Sequence, residues 1–154
     1  MASISISHLI CTVALIILIL VMPAFYSTIV DNIFENTVRQ ELREIASYVA
    51  NTLENLYLLA NSTNIQNLIL EKRLIYLPAC VENEIFVISI IGSGENSSRV
   101  NVYLRSKPWV SADCWLHFPG LRVGEENRVE SGQGTAVVWC NRNAHYIYIG
   151  MRIE

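Results

Sequence analysis

"SISHLICTVALIILILVMPAFYSTIV", Ser5–Val30, contains no Lys, Arg, Asp or Glu. A hydrocarbon layer ~30 Å thick is crossed by a helix of ~20 apolar residues. Leu9 to Tyr26 is 18 residues of this kind, broken only by Thr12. Ser27 and Thr28 can return their hydroxyls to helix carbonyls, so the span can continue to Val30. The side chains expected to meet lipid, or other copies of the chain, are Leu9, Ile10, Val13, Ile16, Ile17, Leu20 and Phe25. A secretory signal would need a basic start and a small-x-small cleavage site. No basic side chain precedes Arg39, and "MPAF" offers no such site. A retained membrane helix is therefore expected. Pro23, inside the run, is expected to kink or locally melt it. His8 falls at the membrane edge, where its ring can reach water.

The composition places the remaining residues in one small domain. Hydrophobic residues make up 52% and charged residues 16% of the chain, with the apolar excess at the front. The net charge is −3 and no basic patch occurs, which argues against nucleic-acid binding and against electrostatic docking on anionic lipid.

The helical pattern does not stop at Val30. Val38, Leu42, Ile45, Val49, Leu53, Leu56 and Ala60 recur at steps of 4, 3, 4, 4, 3 and 4. That spacing draws one apolar stripe along a helix. Glu35, Arg39, Glu41, Arg43, Glu44, Asn51 and Glu54 fall mostly off it, and Glu35–Arg39 is a favourably oriented pair four apart. "ANSTN" breaks the pattern. One continuous helix of about 55 residues is predicted, apolar all round in its first half and amphipathic in its second. The stripe Val38, Leu42, Ile45, Val49 and Leu53 is expected to pack under the chain's own head, and a further face can meet other copies.

Beyond Asn64 the period shortens to two. "NLILEKRLIYLP" reads as a strand with Leu68, Leu70 and Leu74 facing in, "EIFVISII" as a second, and "PACVENE" as the turn between them. "GSGENSS" is a loop of turn formers. "RVNVYLR" alternates, with Val100, Val102 and Leu104 on one face. "KPWV" is expected as an edge strand, since Pro108 cannot donate to a ladder. "FPGLRVGEENRVESGQG" reads as a long connection with a short strand at Leu121–Val123. "TAVVWC" and "HYIYIGMRI" close the chain as a hairpin around "NRNA". The fold class predicted is α+β, a long N-terminal helix followed by an antiparallel, sandwich-like or wrapped β head. Its divisions are 1–30 for the membrane or filament-core helix, 31–61 for the amphipathic continuation and 62–154 for the head, which is expected to fold when isolated.

Candidate chemistry is sparse. Cys114-x-x-His117 and Cys140-x4-His145 have spacings that zinc could use, but an exported domain favours a disulfide. Three head cysteines allow one internal bridge, for which Cys114 and Cys140, at the ends of predicted strands, are the candidates. Cys80 is then free or bridged to another copy, and Cys11 acts as a small hydrophobe. "GSG" at Gly92–Gly94 is followed by a strand rather than the helix a phosphate loop needs. "ESGQG" has Val129 where a nucleophile elbow needs its first Gly. No catalytic triad, paired carboxylate site, metal site or cofactor box is read, and no enzymatic activity is expected. Trp109, Trp115, Phe118, Trp139, Tyr146 and Tyr148 are read as core and sheet-face residues or as an exposed ligand surface.

Two sequons, Asn61-Ser62-Thr63 and Asn96-Ser97-Ser98, make Asn61 and Asn96 glycosylation candidates and favour an exterior head. The run "ASISISHLICTVALIILILV", the helix with "ASYVANTLENLYLLANST" and then "LILEKRLIYLPACVENEIFVISI" together resemble archaeal type IV pilin-like proteins. That superfamily includes archaellins, adhesion pilins and archaellum accessory subunits. The resemblance covers roughly the first 90 residues and is architectural; "MASISIS" holds no Lys/Arg–Gly peptidase site. It implies a hydrophobic helix carrying a β-rich head outside the cell. The expected function is a structural cell-surface subunit, anchored in membrane lipid and assembling with its own copies into a filament. The alternative is an anchored exterior binding module, with surface-layer or archaellum components as partners, or a stator-type accessory protein.

Overall fold

The computed structural model describes residues 2–63, 65, 67–92, 98–116, 118, 121–143 and 147–154, with side chains described from His8 onward. Helix α1 runs Ala2–Ser62. Pro23 lies inside it, and helical residues continue on both sides without the expected melting. A proline removes its own N–H from the ladder and crowds the carbonyl four residues back, here that of Ile19, while the remaining hydrogen bonds of the ladder are untouched. Elsewhere on the run hydroxyls bond back to the helix backbone, Thr12 Oγ1 to the His8 carbonyl at 2.8 Å and Thr28 Oγ1 to that of Ala24 at 3.0 Å.

The chain divides into two compact units, Met1–Thr37 and Val38–Glu154. This boundary differs from those expected at 30/31 and 61/62. Its physical reason is burial. Side chains from His8 to Thr37 are exposed or, at Glu35, half-buried, and Val38 is the first buried one. The second half of α1 is thus part of the head's core rather than a division of its own.

In the second unit, α1 contributes Val38, Leu42, Ile45, Val49, Leu53, Leu56 and Ala60 to the core, widened by Ala46, Ala50 and Tyr57. Seven strands supply the rest: β1 (Leu68–Arg73), β2 (Phe86–Gly92), β3 (Ser98–Leu104), β4 (Ser111–Leu116), β5 (Leu121–Glu130), β6 (Ala136–Arg142) and β7 (Ile147–Ile153). They form one sheet in the order β1-β6-β7-β5-β2-β3-β4, antiparallel except for the β5–β7 pair. The fold is α+β, and the layer that pairs with the sheet is the helix rather than a second sheet. Strand β3 shows why: Ser98, Val100, Val102 and Leu104 are buried while the residues between them are half-buried. The period of two sends every second side chain into the core shared with α1.

Three departures from the sequence reading follow local chemistry. "KPWV" is the β3–β4 turn, closed by Val110 N–H donating to the Lys107 carbonyl at 2.9 Å. The strand after it, "SADCWL", carries an Asp at its centre, and Asn101 Nδ2 of β3 satisfies that carboxylate at 2.7 Å. Strand β5 is ten residues long because its register shifts between Val123 and Asn127. The bulge lets its first part pair with β7 and Arg128–Glu130 pair with β2.

The link from β5 to β6 must pass β7, which lies between them. Gly134 makes that passage possible. Its φ is +150°, and a Cβ there would stand 2.8 Å from the Glu154 carbonyl oxygen at the end of β7. The turn in "PACVENE" is a tight reversal, with Val81 and Glu84 exchanging backbone hydrogen bonds across Glu82 (φ 48°) and Asn83 (φ 62°).

Candidate functional site

The largest apolar surface without a partner is the first half of α1. Leu, Ile, Val and Ala are compatible with helix at every position, so no polar face is formed. Among the side chains expected to meet lipid, exposure runs from 48% at Val13 to 70% at Leu20, with Leu9, Ile10, Ile16, Ile17 and Phe25 between these values. A helix that is apolar all round and wet all round has no stable place in water. This is the one helix among the described residues long and apolar enough to cross a membrane.

The helix changes character at Val38, and its far end is clamped. Helix termini leave carbonyls without intrahelical donors. At this end Arg142 Nη1, from the last residue of β6, donates to the Ala60 carbonyl at 2.5 Å, to that of Asn61 at 3.1 Å and to that of Thr63. A cation here also opposes the negative end of the helix dipole. Sequence reasoning missed this residue, because "NRNA" reads only as a hairpin turn; the long-range partner leaves no local trace.

In the second unit an open groove of about 490 Å³ lies between α1 and the β1–β2 connection. Glu41, Glu44 and Tyr48 line the helix side, and Tyr76, Leu77, Pro78 and Cys80 line the other. Tyr48 and Tyr76 meet edge-on, with ring centroids 6.2 Å apart. The aromatics divide between environments. Trp109 and Trp115 are exposed, with Arg99 over the Trp115 ring at 5.8 Å. Phe118 stacks on Tyr57 at 4.4 Å. Trp139 lies over the backbone of Gly124 and Gly150, where any Cβ would collide with its ring. Tyr148 is half-buried, and Tyr146 lies outside the described residues.

The cysteines correct the disulfide expectation. All four are free thiols, Cys11 and Cys80 exposed, Cys114 half-buried and Cys140 buried. Cys140 sits on β6 and Cys114 on β4, with β7, β5, β2 and β3 between them in the sheet. Adjacent strands are ~4.8 Å apart, so the ladder order does not bring the two sulfurs together. Burial pushes the Cys140 thiol up to about 11, which leaves it a poor nucleophile near neutral pH. His117 and His145, the other halves of the zinc spacings, lie outside the described residues, as does Asn96. Among the described residues no cluster of three or more His, Cys, Asp or Glu could hold a metal ion. Asn61 is exposed in the last turn of α1. The Thr63 hydroxyl of its sequon donates to the Leu59 carbonyl at 2.5 Å.

Charged pairs lie on the sheet's outer face rather than in a cleft. Arg152 pairs with Glu71 at 2.9 Å and Arg73 with Glu154 at 2.7 Å, all four largely exposed. The Arg73 guanidinium, by hydrogen bond and charge, holds the Glu154 carboxyl below its ordinary range. Such surface pairs contribute little to stability. Comparison with known protein families, with curated proteins and with solved structures finds no match.

Proposed function

We propose that this chain is a structural cell-surface subunit, held in a membrane by Leu9–Val30, with Val38–Glu154 as an exterior head. The observation that carries the reading is the contrast within α1. Its second half buries one face in its own core, while Leu9–Phe25, with Thr12 as its only polar residue, is exposed all round. Each fully buried Leu or Ile contributes ~1.5–3 kcal/mol, so a helix of this length transfers into lipid, or among copies of itself, with a large favourable free energy. Assembly through that helix into a type IV pilus-like filament is the form of the proposal that the sequence resemblance supports. Lipid and further copies of the chain are then its partners.

Two experiments test it. An impermeant maleimide applied to intact cells reaches the exposed Cys80 if the head is exterior; labelling only after lysis refutes that placement. Ile17→Asp places a carboxylate in the apolar run at ~2.5–3.5 kcal/mol if it lies mid-bilayer. It should release the chain from membranes under alkaline extraction and remove any filaments seen by electron microscopy. An unchanged membrane fraction overturns the anchor.

A second reading, an anchored binding module, draws on the groove beside Tyr48 and Tyr76. It differs in its outcome: single, unassembled subunits in the membrane with a soluble ligand on the head.

A further inference from the structure

Glu41, Glu44, Ile45 and Tyr48 form the helix wall of the groove in the second unit. At 3.6 residues per turn, their steps of three, one and three stack them over two turns on one flank of α1. Ile45 also belongs to the core, so this flank borders the buried stripe. The opposite wall is uncharged and carries Tyr76, Leu77 and Val81. The volume of about 490 Å³ is that of a ligand site. The Tyr48 and Tyr76 rings meet edge-on, their planes 75° apart. Even so, Tyr76 is 83% exposed and its neighbour Ile75 76%, the highest values among the described large apolar side chains.

The charge in the groove is of one sign. Glu41 and Glu44 are helix neighbours three apart, so their carboxylates repel each other. The other positions three and four away from either hold Thr37, Val38, Gln40, Ile45, Ser47 and Tyr48, none of them basic. Arg39 and Arg43 stand at least ~100° around the helix from both. Residues 74–81, which face them, include no charged residue. Among the described residues neither carboxylate forms an ion pair.

We infer that this groove receives an arginine side chain presented by a partner polypeptide. Arginine matches each of its surfaces. The methylene stem suits the apolar floor of Ile45, Leu77 and Val81. The planar cation stacks on a tyrosine ring, and its forked donors bond carboxylates in pairs. Lysine offers the charge without the plane or the fork. The exposed lip of Ile75 and Tyr76 gives the residues flanking that arginine an apolar surface to cover. The inference rests on the binding-module reading of this groove, and it requires neither the membrane nor a filament.

The full chain, in maltoside micelles, is titrated calorimetrically with the capped peptide Ala-Arg-Ala. The expected result is saturable binding of one peptide per chain. Binding should weaken at least about tenfold when neutral citrulline replaces the arginine, and equally in the double variant Glu41→Gln with Glu44→Gln. It should be unchanged in Glu54→Gln, an exposed residue of α1 outside the groove. In the wild-type chain, saturating peptide should slow maleimide labelling of Cys80, which lines the groove; this readout needs no variant. A chain that binds no peptide overturns both this inference and the module reading. Equal binding of the citrulline or lysine peptide, full binding by the double variant, or an unchanged labelling rate at Cys80 overturns this inference alone. Free argininamide bound as tightly as the peptide overturns the polypeptide partner.

Discussion

Replacing Leu42 by Ala probes the joint between helix and sheet directly. Leu42 has 0% exposure and lies in the core shared with the strands. The substitution removes three carbons. At ~0.8 kcal/mol per buried methylene, the lost transfer free energy is ~2.4 kcal/mol. A residual cavity of ~50 Å³ adds ~1.2 kcal/mol at ~24 cal/mol per Å³ if the neighbours do not collapse into it. The expected loss is therefore ~2.5–3.5 kcal/mol, a large part of the ~5–15 kcal/mol available to a domain. The measurement is urea unfolding of a fragment of residues 31–154, which keeps all of the compact unit Val38–Glu154. With a slope of ~1.5 kcal/mol/M, the midpoint should fall by ~2 M. Leu58→Ala is the matched control, since Leu58 is 52% exposed on the same helix; it should cost less than ~0.5 kcal/mol. Equal midpoints for Leu42→Ala and wild type would refute the packing of α1 on its own sheet.

Three further outcomes are expected. A fragment of residues 62–154 should show no cooperative unfolding transition, contrary to the reading of the head as independent of the helix, because its sheet loses Leu42, Val49, Leu53 and the rest of the α1 stripe from the shared core; circular dichroism with thermal melting checks this. Gly150→Ala should destabilise by ~1–3 kcal/mol, since its Cβ would stand 2.3 Å from the Trp139 ring and 2.4 Å from the Glu126 carbonyl oxygen, measured by the same urea titration. For Cys140, the folded thiol titrates at about 11 against an ordinary 9.0, so the stability it contributes is complete below the unfolded value and is lost as pH rises from about 9 to about 11; Cys140→Ala should flatten that part of the pH–stability profile, and maleimide at neutral pH should modify Cys80 but not Cys140 without denaturant.

Local periodicity carried the helix. Steps of three and four from Val38 to Ala60 admit one buried face, and each of those residues is buried. The uncharged run before Asp31 likewise announced a helix with no polar face. Strand β3 was legible for the same kind of reason, since "RVNVYL" alternates over its whole length, whereas β2 and β6 were legible as short apolar runs, "FVISII" and "AVVWC". Strand β4 was not, because its central Asp113 opposes strand propensity and is satisfied by Asn101, a partner visible only once β3 and β4 lie side by side. Strand β5 was read short because the bulge after Val123 breaks the period, and a period-two reading stops where the register shifts.

What the amino-acid order determined alone was whatever depends on neighbours within one turn of helix or one strand: the long α1, the apolar character of its first half, and the inward faces of the regular strands. What tertiary structure decided depends on residues far apart in sequence meeting in space. The division at Val38 arises because the sheet covers α1 only from that residue on. The parallel β5–β7 pair requires Gly134 to pass beside Glu154. The end of α1 is closed by Arg142, 82 positions beyond Ala60, because unpaired carbonyls accept whichever donor the folded chain brings to them.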